Sequence, residues 1–406
     1  MSTTDTTPKT TTNPAHVEAI KDSVGDIADI LKAEARHAEE LGHLGPAAEA
    51  ALRSTELFRT WWPAELGGPG ASVREGIEVI EQLAAVDTAA AWNVAVCTLG
   101  SGLAGAYLDD VAIDDIFADE LPLIAGQTAP VGLARLVDGG LEVSGSWKFG
   151  SGIRLAAWVK AGVVIERDDG SREAVIVVVP ADRVTIDEGS WDVAGLAGSG
   201  SFDYRMESVH VPNGYWYRFP TAAPARGGPT FTLPIPGQLS ILHAGFALGV
   251  ATRCLEEVTA LAGSKVRQFD TAAIANRPTL RFDLAAHSAK LNAARLLTYD
   301  VADRLLLAAG TPVVGPLIRE MRAAVRHAND VALDLATWAY RQGGGAALHL
   351  DHPLQRLLRD MLAATQHIYV DDRAYTDQGA TLLGIDPDAE RRAEHRAERG
   401  AAEARP

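Results

Sequence analysis

The chain has 406 residues, 47% hydrophobic and 22% charged, enough for two or three packed units around a sizeable core. Its formal net charge is -16 and its pI lies near 5.1, so it lacks the basic excess that nucleic acid or an anionic membrane surface requires. The two cysteines, Cys97 and Cys254, sit in apolar helical surroundings and read as free, buried thiols of a cytoplasmic protein, and no Cys/His spacing suggests a metal.

Residues 1–15 are polar and Thr-rich, lack the apolar stretch of a signal peptide, and read as a disordered tail. From 16 to 121 the pattern is helical, over 28–41, 46–57, 73–85 and 88–103, with a turn at Trp61-Trp62-Pro63 and Gly67-Gly68-Pro69-Gly70. Nothing approaches the ~18 consecutive apolar residues of a membrane span, so none is expected.

The character changes at Pro122. Leu141, Val143, Trp147 and Phe149 alternate with Glu142, Ser144, Ser146 and Lys148, the period of a half-buried strand. That strand runs into Gly150-Ser151-Gly152, which sets a hydroxyl where backbone can approach a flat ligand closely. Short β-branched and aromatic segments at 159–165, 174–179, 183–186 and 202–211 complete a small antiparallel β-domain over 122–220. A Pro/Gly-rich linker, 221–236, follows.

Helical segments at 240–263, 280–310, 314–341 and 353–383 then predict a four-helix bundle over 237–385, broken at Gly310-Thr-Pro312 and Gly343-Gly-Gly345. On the last of them, Leu354, Leu357, Leu358, Met361, Leu362 and Ile368 form an apolar stripe. His367 falls on the opposite side with Asp360, Ala364 and Asp371, and Asp371 is spaced to orient its imidazole. Residues 386–406 carry six acidic and five basic side chains and read as a solvated tail. No Gly-x-Gly-x-x-Gly follows a strand and opens a helix, so no nicotinamide site is visible.

This order of helical domain, central β-domain and helical bundle resembles the acyl-CoA dehydrogenase superfamily. Phe58-Arg-Thr-Trp-Trp-Pro63 and Ala89-Ala-Ala-Trp92-Asn93 are similar to the N-terminal domain of its oxygenase branch, the two-component flavin-dependent monooxygenases (group D hydroxylases). Gly126-Gln-Thr-Ala-Pro130 resembles the loop that meets the flavin, and Trp147-Lys-Phe149-Gly-Ser151-Gly152 the strand that lies against it. Trp191-Asp-Val-Ala-Gly195-Leu-Ala-Gly198-Ser-Gly200-Ser resembles the turn that follows, and Pro353-Leu-Gln-Arg356 through Ala364-Thr-Gln-His367 the last long helix.

The resemblance implies roles for particular residues. Gln127, Thr128, Phe149, Ser151 and Gly152 would meet the flavin ring, with the Ser151 hydroxyl on N5. Arg267 with nearby Lys265, Phe269 and Gly344 would lie near its phosphates, the glycines often across a subunit boundary. His367 would handle protons, while Trp92, Phe58 and Trp61 would line an aromatic substrate pocket. His210, His243, His287 and His327 read as structural or exposed. Two departures stand out. The family's catalytic Glu context is replaced by His349-Leu-Asp351-His352-Pro353, and no histidine follows Trp92 in Asn93-Val-Ala-Val-Cys97.

The implied activity is oxygenation of a small aromatic or heteroaromatic substrate by reduced FMN or FAD and O2 through a C4a-hydroperoxide. A separate flavin reductase would supply the reduced flavin to a homotetramer. An acyl-CoA dehydrogenase-like α,β-dehydrogenation, with Glu256 or Glu257 as base, and a non-catalytic flavin-binding homologue are the alternatives.

Overall fold

The computed structural model describes residues 13–118, 120–167, 169–219, 223–267 and 271–393. Helix α1 (Pro14–Leu41) begins inside the stretch read as a tail, because the Asn13 side chain accepts the His16 N–H and Pro14 presets the first turn. Val17, Ile20, Val24, Ile27 and Leu31 recur at helical spacing and bury one face. After α2 (Pro46–Arg53), α3 (Val73–Val86) starts at a capping box between Ser72 and Glu75. The next helix, α4 (Thr88–Tyr107), is buried almost all round and forms the centre of the first helical layer. A short α5 (Asp110–Ile116), which the sequence pattern did not announce, closes that layer.

Seven strands form one sheet in the order β5-β6-β2-β1-β3-β4-β7. They are β1 (Ile124–Val137), β2 (Gly140–Gly150), β3 (Trp158–Glu166), β4 (Arg172–Pro180), β5 (Thr185–Asp187), β6 (Phe202–Pro212) and β7 (Trp216–Arg218). All pairings are antiparallel except β1 with β3, which is parallel. The stretch expected as a loop at 126–132 lies within β1, whose register slips between Gln127 and Gly132. Leu141, Val143 and Trp147 join Val159, Val163 and Val177 in the sheet's own core. Phe149 breaks the expected alternation: its backbone is left-handed at φ 62, and its ring turns outward, 61% exposed.

The second helical layer holds α6 (Gly228–Thr232), inside the expected linker, then α7 (Ile235–Ala262), α8 (Pro278–Leu307), α9 (Val314–Gly343), α10 (Pro353–Ala364) and α11 (Arg373–Leu382). Helices α4 and α7 are long and apolar enough by composition to cross a membrane, although polar residues interrupt both; most of each is buried inside the fold. The single final helix expected over 353–383 is two helices. Between them Tyr369 and Val370 turn into the core; the Tyr369 hydroxyl donates to the Pro236 carbonyl at 2.6 Å and Arg326 to the Val370 carbonyl at 2.7 Å. The expected stripe shifts accordingly: Leu354, Leu357 and Met361 are buried, but Leu362 and Ile368 face outward. Residues 386–393 are not a free tail either, since Arg391 pairs with Asp377 at 2.7 Å.

Candidate active site

The site is built where the end of β2, the middle of α4, the start of α7 and the break after α10 meet. Phe149 and Gly152 both adopt positive φ, and the Ser151 N–H donates back to the Phe149 carbonyl at 2.9 Å. Gly152 is obligatory twice over: its φ is 74, and a Cβ there would lie 2.8 Å from the Cys97 sulfur on α4. The Phe149 ring stands edge-on to Trp191, with centroids 6.3 Å apart. An outward aromatic held on strained backbone is uncommon, and such strain concentrates at ligand sites.

The Ser151 hydroxyl accepts from the Trp92 indole N–H at 3.1 Å and shares a proton with Ser201 at 2.6 Å, which in turn meets Ser199 at 2.8 Å. An indole N–H only donates, so one lone pair of Ser151 is committed. If Ser199 donates to Ser201 and Ser201 to Ser151, the Ser151 proton is free to point at a ligand.

Trp92 packs edge-on against His243 of α7 at 5.7 Å and against Phe246 at 5.2 Å. The His243 ring lies 4.3 Å from that of His367 and stacks on Tyr369 at 5.0 Å. Ser151, Trp92, His243 and His367 therefore form one continuous wall. His367 is not on a helix face, as expected, but caps the turn Ile368–Val370. Its Nδ1 accepts the Tyr369 N–H at 3.1 Å, so in the neutral ring the proton sits on Nε2. Burial pushes its pKa down to about 4, which keeps it neutral near pH 7. Asp371 does not orient it; that carboxylate is taken by Arg373 at 2.7 Å and Arg322 at 3.5 Å.

Asp360, expected on the same outward face as His367, is buried. Thr88 donates to it at 2.6 Å and the Leu196 N–H at 2.6 Å. Burial raises its pKa to about 6. A Cβ at Gly195 would lie 2.0 Å from the Arg359 carbonyl, so the 191–200 turn docks directly on α10 and is pinned by Asp360.

Gln127 and Thr128 are strand residues with satisfied backbone donors. The Gln127 N–H donates to the Tyr204 hydroxyl at 2.9 Å, and the Gln127 side-chain carbonyl accepts the Thr128 N–H at 2.8 Å. Phe58 and Trp61 do not join the wall. Both are enclosed in the helical core, Trp61 against Phe231 and Gln238, since two large apolar rings beside α4 gain most by full burial.

A second cluster gathers Arg267, Lys265 and Gly344. Lys265 donates to the Gly343 carbonyl, and Arg267 reaches the Arg341 carbonyl at 3.4 Å and Gln342 at 3.3 Å. The Arg267 Nε is buried without a partner. Burial and the neighbouring Arg267 hold the Lys265 ammonium below its usual range. Phe269 lies outside the described residues. The sequence reading missed His243 as a wall residue, although a histidine within so apolar a helix as α7 is a signal, and missed Ser199 and Ser201, whose paired hydroxyls stand in plain view in the glycine-rich turn.

Helical layer, mixed sheet and helical bundle make up an acyl-CoA dehydrogenase-like fold. Residues 241–372 match the family model described as acyl-CoA dehydrogenase, C-terminal domain. The chain is 28% identical to an indole-3-acetate monooxygenase of Pseudomonas putida over 91% of this chain and 94% of that one. It is 28% identical to the oxygenase component of an FADH(2)-dependent resorcinol hydroxylase of Rhizobium sp., covering 90% and 94% respectively. A Streptomyces sp. protein, XiaF, solved with FADH2 and glycerol, superposes with a TM-score of 0.83 at 21% identity, over 92% of this chain and 97% of that one. Over nearly its whole length the chain thus resembles the flavin-dependent monooxygenase branch of the acyl-CoA dehydrogenase superfamily.

Proposed function

We infer that the protein is the oxygenase component of a two-component flavin-dependent monooxygenase. It receives reduced FMN or FAD from a separate reductase, uses O2 as co-substrate, and passes one oxygen atom to a small aromatic or heteroaromatic molecule. The observation that carries this reading is the wall itself: an outward Phe149 beside a hydroxyl relay, a buried indole and a neutral His367.

The residues fit a flavin. The exposed Phe149 ring on left-handed backbone offers a ledge to a flat ring, and Arg267 keeps a buried, unpartnered Nε beside Lys265, as a phosphate requires. The bound reduced flavin would supply the electrons that activate O2. This chain contributes orientation, dryness and hydrogen bonds. Ser151 would direct its proton at the ring edge if the relay runs from Ser199 through Ser201. The Nε2–H of His367 donates to negative charge that develops on oxygen, and being neutral it does so without carrying a buried charge into the resting site. Trp92 and Phe246 exclude water from behind.

Among the described residues no hydrogen bond, ion pair or ring contact joins the Arg267 cluster to the Ser151 wall, which suits phosphates held by a neighbouring subunit of a homotetramer. The outward Phe282, Leu296 and Leu307 of α8 and Leu382 of α11 offer apolar surface for such an assembly. Dehydrogenation is the weaker reading, because Glu257 is engaged by Arg253 at 2.6 Å and Glu256 opens onto the groove lined by Lys32 and Tyr299.

The test is to mix the protein anaerobically with reduced FMN, and separately reduced FAD, and admit O2 in a stopped-flow instrument. An absorbing transient distinct from both free flavin states is expected. Oxidation indistinguishable from the protein-free control contradicts the reading.

A further inference from the structure

The wall contains a polar side chain that has no hydrogen-bond partner among the described residues. His243 is 1% exposed, and neither of its ring nitrogens has a partner. Burial and His367 push its pKa well below the ordinary value, so the ring is neutral and carries one N–H donor and one bare acceptor. Leaving both unpaired in a dry interior is costly, and such orphans in native structures call for an explanation.

The rings that enclose it make no hydrogen bond to it. The Trp92 N–H is spent on Ser151, the Tyr369 hydroxyl on the Pro236 carbonyl, and the His367 Nδ1 on the Tyr369 N–H. The Asn329 amide donates to the Val325 and His243 backbone carbonyls, at 2.8 and 3.2 Å, and not to the His243 ring. Arg322 lies over the far partner of the stack, Tyr369, and is engaged by Asp371 and Asp377. Among the described residues the groups here without a hydrogen bond are the His243 imidazole, the Nε2–H of His367 and, behind the His243 backbone, the Asn329 Oδ1.

We propose that His243 is a specificity-determining residue: it binds the N–H or O–H substituent of a neutral, planar aromatic substrate and so lays the substrate ring against His367 and Trp92. This rests on the oxygenase reading and names the substrate class for the same site. A neutral imidazole gives a carboxylate no counter-charge, so a buried anionic substituent is disfavoured there. A protic substituent satisfies a lone pair that is otherwise wasted, and an aprotic isostere leaves it unpaired, which is the arrangement that discriminates most sharply between look-alike ligands.

The experiment is equilibrium dialysis under anaerobic conditions, with and without reduced FMN, using two pairs of probes: indole against indene, and phenol against fluorobenzene. The wild-type protein is expected to bind the protic member of at least one pair on the order of ten- to a hundredfold more tightly. His243→Phe keeps a ring to stack on Tyr369 and loses the preference; His243→Leu serves in its place should that variant fail to fold. The proposal is overturned if the wild type binds neither protic probe, shows no preference in either pair, or if the preference survives in the variant. The flavin oxidation transient is recorded separately on the wild type, without any aromatic ligand. Its absence from the wild type would sink the oxygenase reading, whereas its presence with no probe discrimination sinks only the role of His243.

Discussion

Two clusters in the molecule are chemically opposite. The wall of Ser151, Trp92, His243 and His367 is dry, aromatic and neutral, and its imidazoles are held below their ordinary pKa. The Arg267, Lys265 and Gly344 cluster is cationic, and its basic groups rest on backbone carbonyls at the end of α9. A neutral wall can aim protons at a reacting atom without stabilising the resting state, while a cationic cluster binds charge uniformly before and after reaction. The first should therefore govern rate and the second affinity.

The sharpest test of that division is at the wall. His367→Ala and Ser151→Ala are each expected to lower kcat by about 100- to 1,000-fold while leaving the dissociation constant for reduced flavin nearly unchanged. Because His367 titrates only near 4, the wild-type rate should show no inflection from it between pH ~5.5 and ~8. A variant that loses flavin binding and rate together would break the division.

Asp360 examines the support behind the wall. Folding raises its pKa from 3.8 to about 6, so the protonated form is favoured in the native state. Its contribution to stability is fully present below 3.8 and is lost as pH rises through about 6. Asp360→Asn keeps an acceptor for the Leu196 N–H and removes the buried charge. It should leave stability unchanged near pH 4 and raise it at pH 8 by at most about 3 kcal/mol, read by urea denaturation at both values. An equal effect at the two pH values would refute the assignment. The imidazoles run in the opposite sense, since a lowered histidine pKa costs stability as pH falls below 6.5.

The smallest effect is expected at the cationic end. Arg267→Ala should weaken reduced-flavin binding about ten- to a hundredfold, the worth of a charge-assisted hydrogen bond, with kcat at saturating flavin unaltered. Titration of the variant with reduced FMN checks it; a fall in saturated kcat would show that the two ends are not separable.

Much of the site was legible because its local signals agree with its geometry. Gly150-Ser151-Gly152 is where the chain needs left-handed backbone and close packing on α4, and only glycine provides both at 152. Trp92 and His367 both border the His243 ring. Other parts were hidden by tertiary competition. Gln127 and Thr128 looked like loop because their glycine neighbours serve a register slip inside β1. Phe58 and Trp61 looked like pocket aromatics, yet the core claimed them. His367 looked helical, but its own Nδ1 caps the turn that breaks the helix.

What the sequence determined by itself is periodic or compositional: three regions in order, the strand that carries Ser151, the amphipathic helices and the acidic surface. These follow from local preference and from the burial of apolar faces, which any folded arrangement must respect. What the tertiary structure alone decided is which polar atoms find partners. The tautomer of His367, the burial of Asp360 and the unsatisfied ring of His243 each depend on groups brought from elements far apart in the chain, and no local pattern encodes a hydrogen bond that is absent.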